Sequence, residues 1–92
     1  MTIACPIMVI LKGPPEGQVF AENILSRDPG SVLCGRYESS SRMTLNRVKT
    51  AVSSRCSPIV VTDVAEQARL NQYAKIAGNA GYHVLEIDAN LR

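Results

Sequence analysis

A run of five apolar residues, followed directly by a Gly/Pro turn, most constrains what this chain can fold into. Ile7 to Leu11 (IMVIL) has the length and β-branched content of a strand that is buried on both faces. The turn is Lys12 to Gly17 (KGPPEG), and a helical pattern follows it, with apolar residues on one side at Val19 or Phe20, Ile24 and Leu25. Strands buried on both faces belong to parallel sheets that helices cover, so the run favours an α/β fold.

The rest of the chain alternates between helix and strand patterns in the same way. Helices are predicted over 18–27, from the Ser39-Ser40-Ser41 cap to Ser57-Pro58, and over 65–79; further strands are predicted over 31–35, 58–63 and 82–88, and 89–92 is expected to fray. The order βαβαβαβ predicts one domain, 1–92, a three-layer αβα fold with a four-stranded parallel sheet.

Composition excludes several classes of function. One Phe, three Tyr and no Trp predict an aliphatic core, and a formal charge of +2 implies no partner by itself. Three cysteines without CxxC spacing indicate reduced thiols in a cytoplasmic protein. With a single histidine, His83, we expect no metal site, and no segment reads as a signal peptide or a membrane span.

Polar and glycine residues follow three of the predicted strands. They are Gly13 to Gly17, Gly35 to Glu38, and Asp63. In open parallel sheets the ligand crevice lies at the carboxyl ends of the strands, so these residues are the predicted site. Asp63 has two interpretations, a ligand or substrate contact and an N-cap for the next helix.

In order and content these segments resemble the kinase domain of phage-type 5′-polynucleotide kinases and their P-loop relatives, over nearly the whole chain. The family's Walker A unit is resembled by IMVILKGPPEGQVFAENIL, and its stretch with an Arg followed by catalytic acids by SRDPGSVLCGRYESS. The family's apolar strand that ends in Asp is resembled by SPIVVTDV, and its later helix, turn and strand by QYAKIAGNAGYHVLEI. The resemblance implies a P-loop NTPase-like fold that uses ATP and Mg²⁺.

The phosphate-binding loop departs from the family pattern GxxxxGK[ST]. Gly13 and Gly17 bracket only three residues, two of which are prolines without an N–H, and Glu16 adds a negative charge. Gln18 stands at the Lys position and Val19 at the Ser/Thr position. Loss of that cation and hydroxyl removes most electrostatic stabilisation of phosphoryl transfer. A tight turn without a ligand is favoured over a weak phosphate site formed by Gly13, Gly17, Gln18, Val19 and Arg36.

The second family motif is also reduced. Arg36 matches its Arg, Glu38 is the only nearby acid, and the sequence ends before the family's lid. The leading prediction is therefore a catalytically inactive, P-loop kinase-like regulatory protein without a cofactor. It is interpreted as a phage or mobile-element inhibitor of a host protein, located in the host cytoplasm, that binds a protein partner or itself through an exposed sheet edge.

Two other functions stay open. One is a residual ATP- and Mg²⁺-dependent 5′-polynucleotide or nucleotide kinase that uses Lys12, Glu38 and Asp63. The other is a non-catalytic nucleic-acid binder, because basic residues gather between 36 and 55, and Tyr37 is available for stacking on a base. That surface comprises Arg42, Arg47, Lys49 and Arg55. Its ordinary alternative is a solvated helix face.

Overall fold

The fold is known from a computed structural model that describes residues 5–13, 18–19, 23, 27, 30–35, 38–63 and 66–88. Within these residues the chain forms four strands, two α-helices that are described over their whole length, and one 3₁₀ turn. They are β1 (Ile7–Lys12), β2 (Val32–Cys34), α1 (Ser41–Ser53), β3 (Ile59–Val61), the 3₁₀ turn (Gln67–Arg69), α2 (Leu70–Asn79) and β4 (His83–Asp88). The predicted α/β class is confirmed.

All strand pairs are parallel, and the strand order is β2-β3-β1-β4. Val9 of β1 lies opposite Val60 of β3 on one side and opposite Leu85 of β4 on the other. The central position of β1 explains its continuous apolar sequence, since both of its faces and both of its edges are covered. This order also places the carboxyl ends of β1 and β3 side by side.

The main core fills one face of the sheet. There, apolar side chains from the strands pack against both helices, and the cluster includes Met8, Ile10, Ile59, Val61, Val48, Val52, Leu70, Tyr73 and Ala77. On the opposite face Val9, Leu11 and Val60 form a second buried cluster. A helix over 18–27 was predicted to cover this second face. Gln18, Val19 and Asn23 are helical, and the rest of that segment lies outside the described residues, so the three-layer arrangement stays a prediction.

Three predicted boundaries are corrected. Helix α1 ends at Ser53 rather than at Ser57-Pro58, strand β3 ends at Val61 rather than residue 63, and α2 begins at Leu70 rather than residue 65. Before α2, the N–H of Arg69 donates to the carbonyl of Glu66 at 3.0 Å, which closes a 3₁₀ turn. Such turns are frequent at the N-termini of α-helices. In the described part of the chain, no helix has the length and apolar character that crossing a membrane requires.

Candidate functional site

Asp63 lies at the centre of a buried hydrogen-bond network at the carboxyl end of β3. Its side chain is 3% exposed. Ser41 Oγ donates to Asp63 Oδ2 at 2.9 Å, and Tyr73 OH donates to the same oxygen at 2.8 Å. The other oxygen, Oδ1, accepts the backbone N–H of Glu66 at 2.9 Å. An ionised carboxylate offers about four lone-pair positions, so three of them are used within the fold.

The network joins three elements that are distant in sequence. Ser41 is the first residue of α1, Tyr73 lies on α2, and Asp63 follows β3. Burial, followed by the hydrogen bond to Asp63, raises the pKa of Tyr73 well above its ordinary value, so the phenol keeps its proton and acts as a donor. The Asp63 carboxylate therefore links the first turns of α1 and α2 to the carboxyl end of β3 by hydrogen bonds. The predicted N-cap role of Asp63 is corrected: the N-cap residue of α2 is Arg69, which makes no side-chain capping bond, and the N–H that Asp63 accepts belongs to Glu66, four residues before α2 begins.

The turn after β1 is held by two side-chain amides. Gln18 Nε2 and Gln67 Nε2 each donate to the carbonyl oxygen of Gly13 at 2.7 Å. Gly13 has a φ of 105°, a conformation that favours glycine. Because Gly13 O is an acceptor, the NH₂ group of Gln18 must face it, and the amide oxygen Oε1 points elsewhere.

Two buried oxygens near this edge have no hydrogen-bond partner in the described structure. They are Gln18 Oε1 and Thr62 Oγ1, in side chains that are 1% and 0% exposed. Both groups can accept a hydrogen bond, and a buried acceptor without a donor is unfavourable. The Oε1 oxygen of Gln18 therefore attracts hydrogen-bond donors and repels anions.

Glu38 stabilises the turn after β2. Its Oε2 accepts the backbone N–H of Gly35 at 2.7 Å, and its Oε1 lies 3.1 Å from Nε of Arg47. Gly35 has a φ of 101°, and a Cβ atom added there would lie 1.5 Å from the carbonyl oxygen of Thr62. The two backbones thus meet at a distance that only glycine allows. Both carboxylate oxygens of Glu38 therefore have partners in the fold, one in this turn and the other on α1.

Lys12 points toward the sheet edge at β4. Its Nζ lies 3.1 Å from Oε1 of Glu86, and both side chains are half-exposed. An exposed pair of this kind contributes roughly 0–1 kcal/mol. The ion pair orients the ammonium group of Lys12 along the surface of β1 and β4.

The four described basic residues predicted to form one surface fall into two groups. Arg47 Nε donates to the carbonyl of Leu33 at 2.8 Å, besides its contact with Glu38. Arg55 Nη1 donates to the carbonyl of Ala80, and its guanidinium lies 5.3 Å from the ring centre of Tyr82. Arg42 and Lys49 are exposed on α1 and have no charged or hydrogen-bonded partner among the described residues.

The remaining candidates are placed as follows. Gly17, Arg36 and Tyr37 lie outside the described residues. Val19 is partly buried, and His83 is exposed at the start of β4. Cys34 is fully buried, and burial raises the pKa of its thiol to about 11, which fits a structural and unreactive cysteine.

The pairs that hold the site together were missed by sequence reasoning. The sequence indicates a helix cap at Ser41 but gives no role to Gln67 and no contact between Ser41, Tyr73 and Asp63. One signal is present: a tyrosine on a buried helix face needs a hydrogen-bond partner, and the strand-end carboxylate of Asp63 is an available acceptor.

Within the described part of the chain, no three His, Cys, Asp or Glu side chains come together in a way that could hold a metal ion. No protein-family model, curated protein or solved structure matches this chain. The resemblance to 5′-polynucleotide kinases therefore remains a hypothesis that rests on the motifs themselves.

Proposed function

We propose that this chain is a catalytically inactive, kinase-like protein that acts by binding another protein. The observation that carries the proposal is the engagement of Asp63, the residue at the position of the family's strand-end Asp. Ser41, Tyr73 and the Glu66 N–H all donate to its carboxylate in a nearly dry environment. A magnesium ion or a substrate hydroxyl would have to displace these donors, and unpaired buried polar groups would result.

The other groups that catalysis would need also have partners within the chain, although the partner of Lys12 is a half-exposed carboxylate. Gln18 donates to Gly13, Lys12 pairs with Glu86, and Glu38 holds the turn at Gly35. Phosphoryl transfer depends on preorganised cations and metal ions around the phosphate. This supports binding rather than turnover as the role of the scaffold.

Free cysteines at 5, 34 and 56 are consistent with a reducing compartment, and we propose the cytoplasm, that of the host if the chain is encoded by a phage. In this proposal the chain needs neither ATP nor Mg²⁺. Its partner is a host protein or a second copy, contacted through the exposed edge of the sheet.

Calorimetric titration of the full chain with ATP and Mg²⁺ tests the proposal, together with an assay of phosphate transfer to a 5′-hydroxyl oligonucleotide. An active 5′-polynucleotide kinase serves as the positive control. We expect no heat of binding above dilution and no labelled product. Turnover that Asp63→Asn abolishes would establish the residual kinase instead, and Glu38→Gln and Lys12→Gln would then test the two other candidate groups.

One observation favours nucleic-acid binding as a second candidate function. Helix α1 contains Arg42, Arg47 and Lys49 and no acidic residue, and Arg42 and Lys49 are seven residues apart, on one face. Two phosphate contacts to a single strand predict a slope of about −1.4 in log affinity against log salt. Raising salt from about 50 to 200 mM would then weaken binding roughly sevenfold.

Fluorescence anisotropy with a labelled single strand measures that slope. Replacement of Arg42 and Lys49 by Gln should remove the binding and its salt dependence. Lys75→Gln is the matched control, since Lys75 is an exposed lysine on α2. Equal loss in the control and the double variant would reject α1 as the contact surface.

A further inference from the structure

Strand β4 forms one outer edge of the sheet and is long enough to pair with another strand. It spans six residues, whereas the opposite edge strand, β2, spans three. β4 pairs with β1 along its whole length, and no described strand lies on its other side. An exposed edge of this length offers unpaired backbone groups to any strand that can match it.

The pairing of β4 with β1 determines which of its backbone groups point outward. The N–H of His83 donates to the carbonyl of Pro6 at 2.9 Å, so His83 faces β1. In a parallel ladder successive residues of a strand face opposite neighbours, hence Leu85 and Ile87 also face β1. The N–H and C=O groups of Val84 and Glu86 therefore point away from the sheet.

The same strand exposes apolar side chains on one face. Leu85 is 41% exposed and Ile87 is 37% exposed, and they are two residues apart. Their neighbours on β1, Val9 and Leu11, are buried. The apolar surface of this sheet face thus continues to the open edge.

We propose that this edge binds a second copy of the chain, with the two β4 strands antiparallel about a two-fold axis through Leu85. This inference rests on the binding role proposed above and names its partner. With this axis, Val84 lies opposite Glu86 of the partner subunit, and the outward N–H and C=O groups of both residues form four hydrogen bonds across the interface. The two Leu85 side chains meet at the centre, flanked by Ile87 of each chain.

The alternative register is less favourable. Moving the axis by one residue, to Glu86, places two carboxylates directly opposite each other, which is destabilising in a sheet. In the Leu85 register Glu86 instead lies opposite Val84 of the partner subunit, so the two carboxylates are kept apart and each stays beside Lys12 of its own chain. A strand pair of this length buries less than the roughly 1,200 Å² typical of stable complexes, so we expect a weak dimer that forms at about 10 μM to 1 mM.

Sedimentation velocity over that range tests association. The average mass should rise with concentration from that of one chain toward that of two. Leu85→Lys should hold the chain in the monomeric form, because it places two ammonium groups at the axis. Met43→Lys is the matched control, since Met43 is an exposed apolar residue, 51% exposed, on α1, and this variant should associate like the original chain.

Disulfide trapping tests the register, in a background in which Cys5 and Cys56 are replaced by Ser. Directly opposed residues that do not share hydrogen bonds have Cα atoms about 4.5 Å apart, within the range of a disulfide. Leu85→Cys should therefore form a covalent dimer under mild oxidation. In Ile87→Cys the two sulfurs would be about 13 Å apart, four residues along the strand, and no such dimer should form.

A chain that stays monomeric to about 1 mM, or a Leu85→Lys variant that associates as well as the original, overturns the inference. The inference is also wrong if Ile87→Cys is trapped efficiently as a covalent dimer and Leu85→Cys is not. It is wrong as well if the chain stays monomeric and binds an unrelated extended peptide at β4. None of these results bears on the absence of turnover, which the ATP titration and the transfer assay measure separately.

Discussion

Removing the hydroxyl group of Tyr73 tests how much the Asp63 network contributes to stability. Tyr73 is fully buried, and its hydroxyl lies 2.8 Å from Asp63 Oδ2. A hydrogen bond to a charged group contributes about 1.5–3 kcal/mol, and Tyr73→Phe removes one such bond while it keeps the ring and its packing. We expect the free energy of unfolding to fall by about 2 kcal/mol.

Tyr82 provides a matched control within the same molecule. It is also buried, and its hydroxyl donates at 2.7 Å to the carbonyl of Cys56, which carries no formal charge. Neutral hydrogen bonds contribute about 0.5–1.5 kcal/mol, so Tyr82→Phe should cost about half as much. In urea titrations with a slope of about 1 kcal/mol per M, the midpoint should fall by about 2 M for Tyr73→Phe and by about 1 M for Tyr82→Phe.

A double-mutant cycle with Ser41→Ala then isolates the shared acceptor. Ser41 and Tyr73 donate to the same atom of Asp63, and residues in one network couple by about 0.5–3 kcal/mol. The double variant should therefore differ from the sum of the two single variants. Equal losses for the two Phe variants, together with strict additivity in the cycle, would refute the assignment of Asp63 as the anchor of both helices.

Three further predictions concern Gly35, Cys34 and Thr62. Gly35→Ala should destabilise the fold by more than about 2 kcal/mol, because the added Cβ would meet the backbone of Thr62. The control is Gly78→Ala in α2, which has open space around it and should stabilise the fold by about 0.5–1 kcal/mol. Thermal unfolding measures both changes, and similar shifts for the two variants would contradict the close approach at Gly35. Burial raises the pKa of the Cys34 thiol from 9.0 to about 11, so the unfolded chain loses this proton at a lower pH than the folded chain does. The free energy of unfolding is therefore unaffected by this group below pH 9 and falls by about 3 kcal/mol as the pH rises through 11. In urea titrations at those two pH values, Cys34→Ala should lose less unfolding free energy than the original chain. An equal loss in both chains would contradict the prediction. Thr62→Val should raise the unfolding free energy by about 1 kcal/mol, because it removes a buried hydroxyl without a described partner; a lower value in urea would mean that the hydroxyl is bonded.

The strands and the class of the fold could be predicted because their signals are local. Five apolar residues from Ile7 and three from Ile59 show burial on both faces, and the helix patterns between them require parallel connections. Strand order is a different kind of information, because it depends on which edges pair across the whole chain. The position of β1 between β3 and β4 follows from no single segment.

The candidate site could be predicted only in part for the same reason. Asp63 and Glu38 can be predicted from the sequence because they follow strands. Their hydrogen-bond partners cannot, because they lie on elements distant in sequence or in a turn whose conformation the sequence does not determine. Ser41 and Asp63 are 22 residues apart in sequence, and Asp63 and Tyr73 are 10 apart. Arg47 and Arg42 look equivalent in sequence, yet among the described residues Arg47 has a carbonyl within hydrogen-bond distance and Arg42 has none.

The polar groups at the carboxyl edge illustrate a conflict between holding a fold together and carrying out chemistry. A short chain buries only roughly 60% of its unfolded surface, so its core contributes little stability to spare. The hydrogen bonds that Asp63 accepts from α1 and α2, and that Glu38 accepts from the turn at Gly35, add to that core at the sheet edge where catalytic groups usually lie. A carboxylate that accepts these hydrogen bonds cannot also bind a metal ion or accept a substrate proton without giving up a bond that stabilises a helix or a turn. Among the described residues, the outward N–H and C=O groups of Val84 and Glu86 on β4 have no such role, and for that reason we propose this edge as the place where the chain binds another molecule.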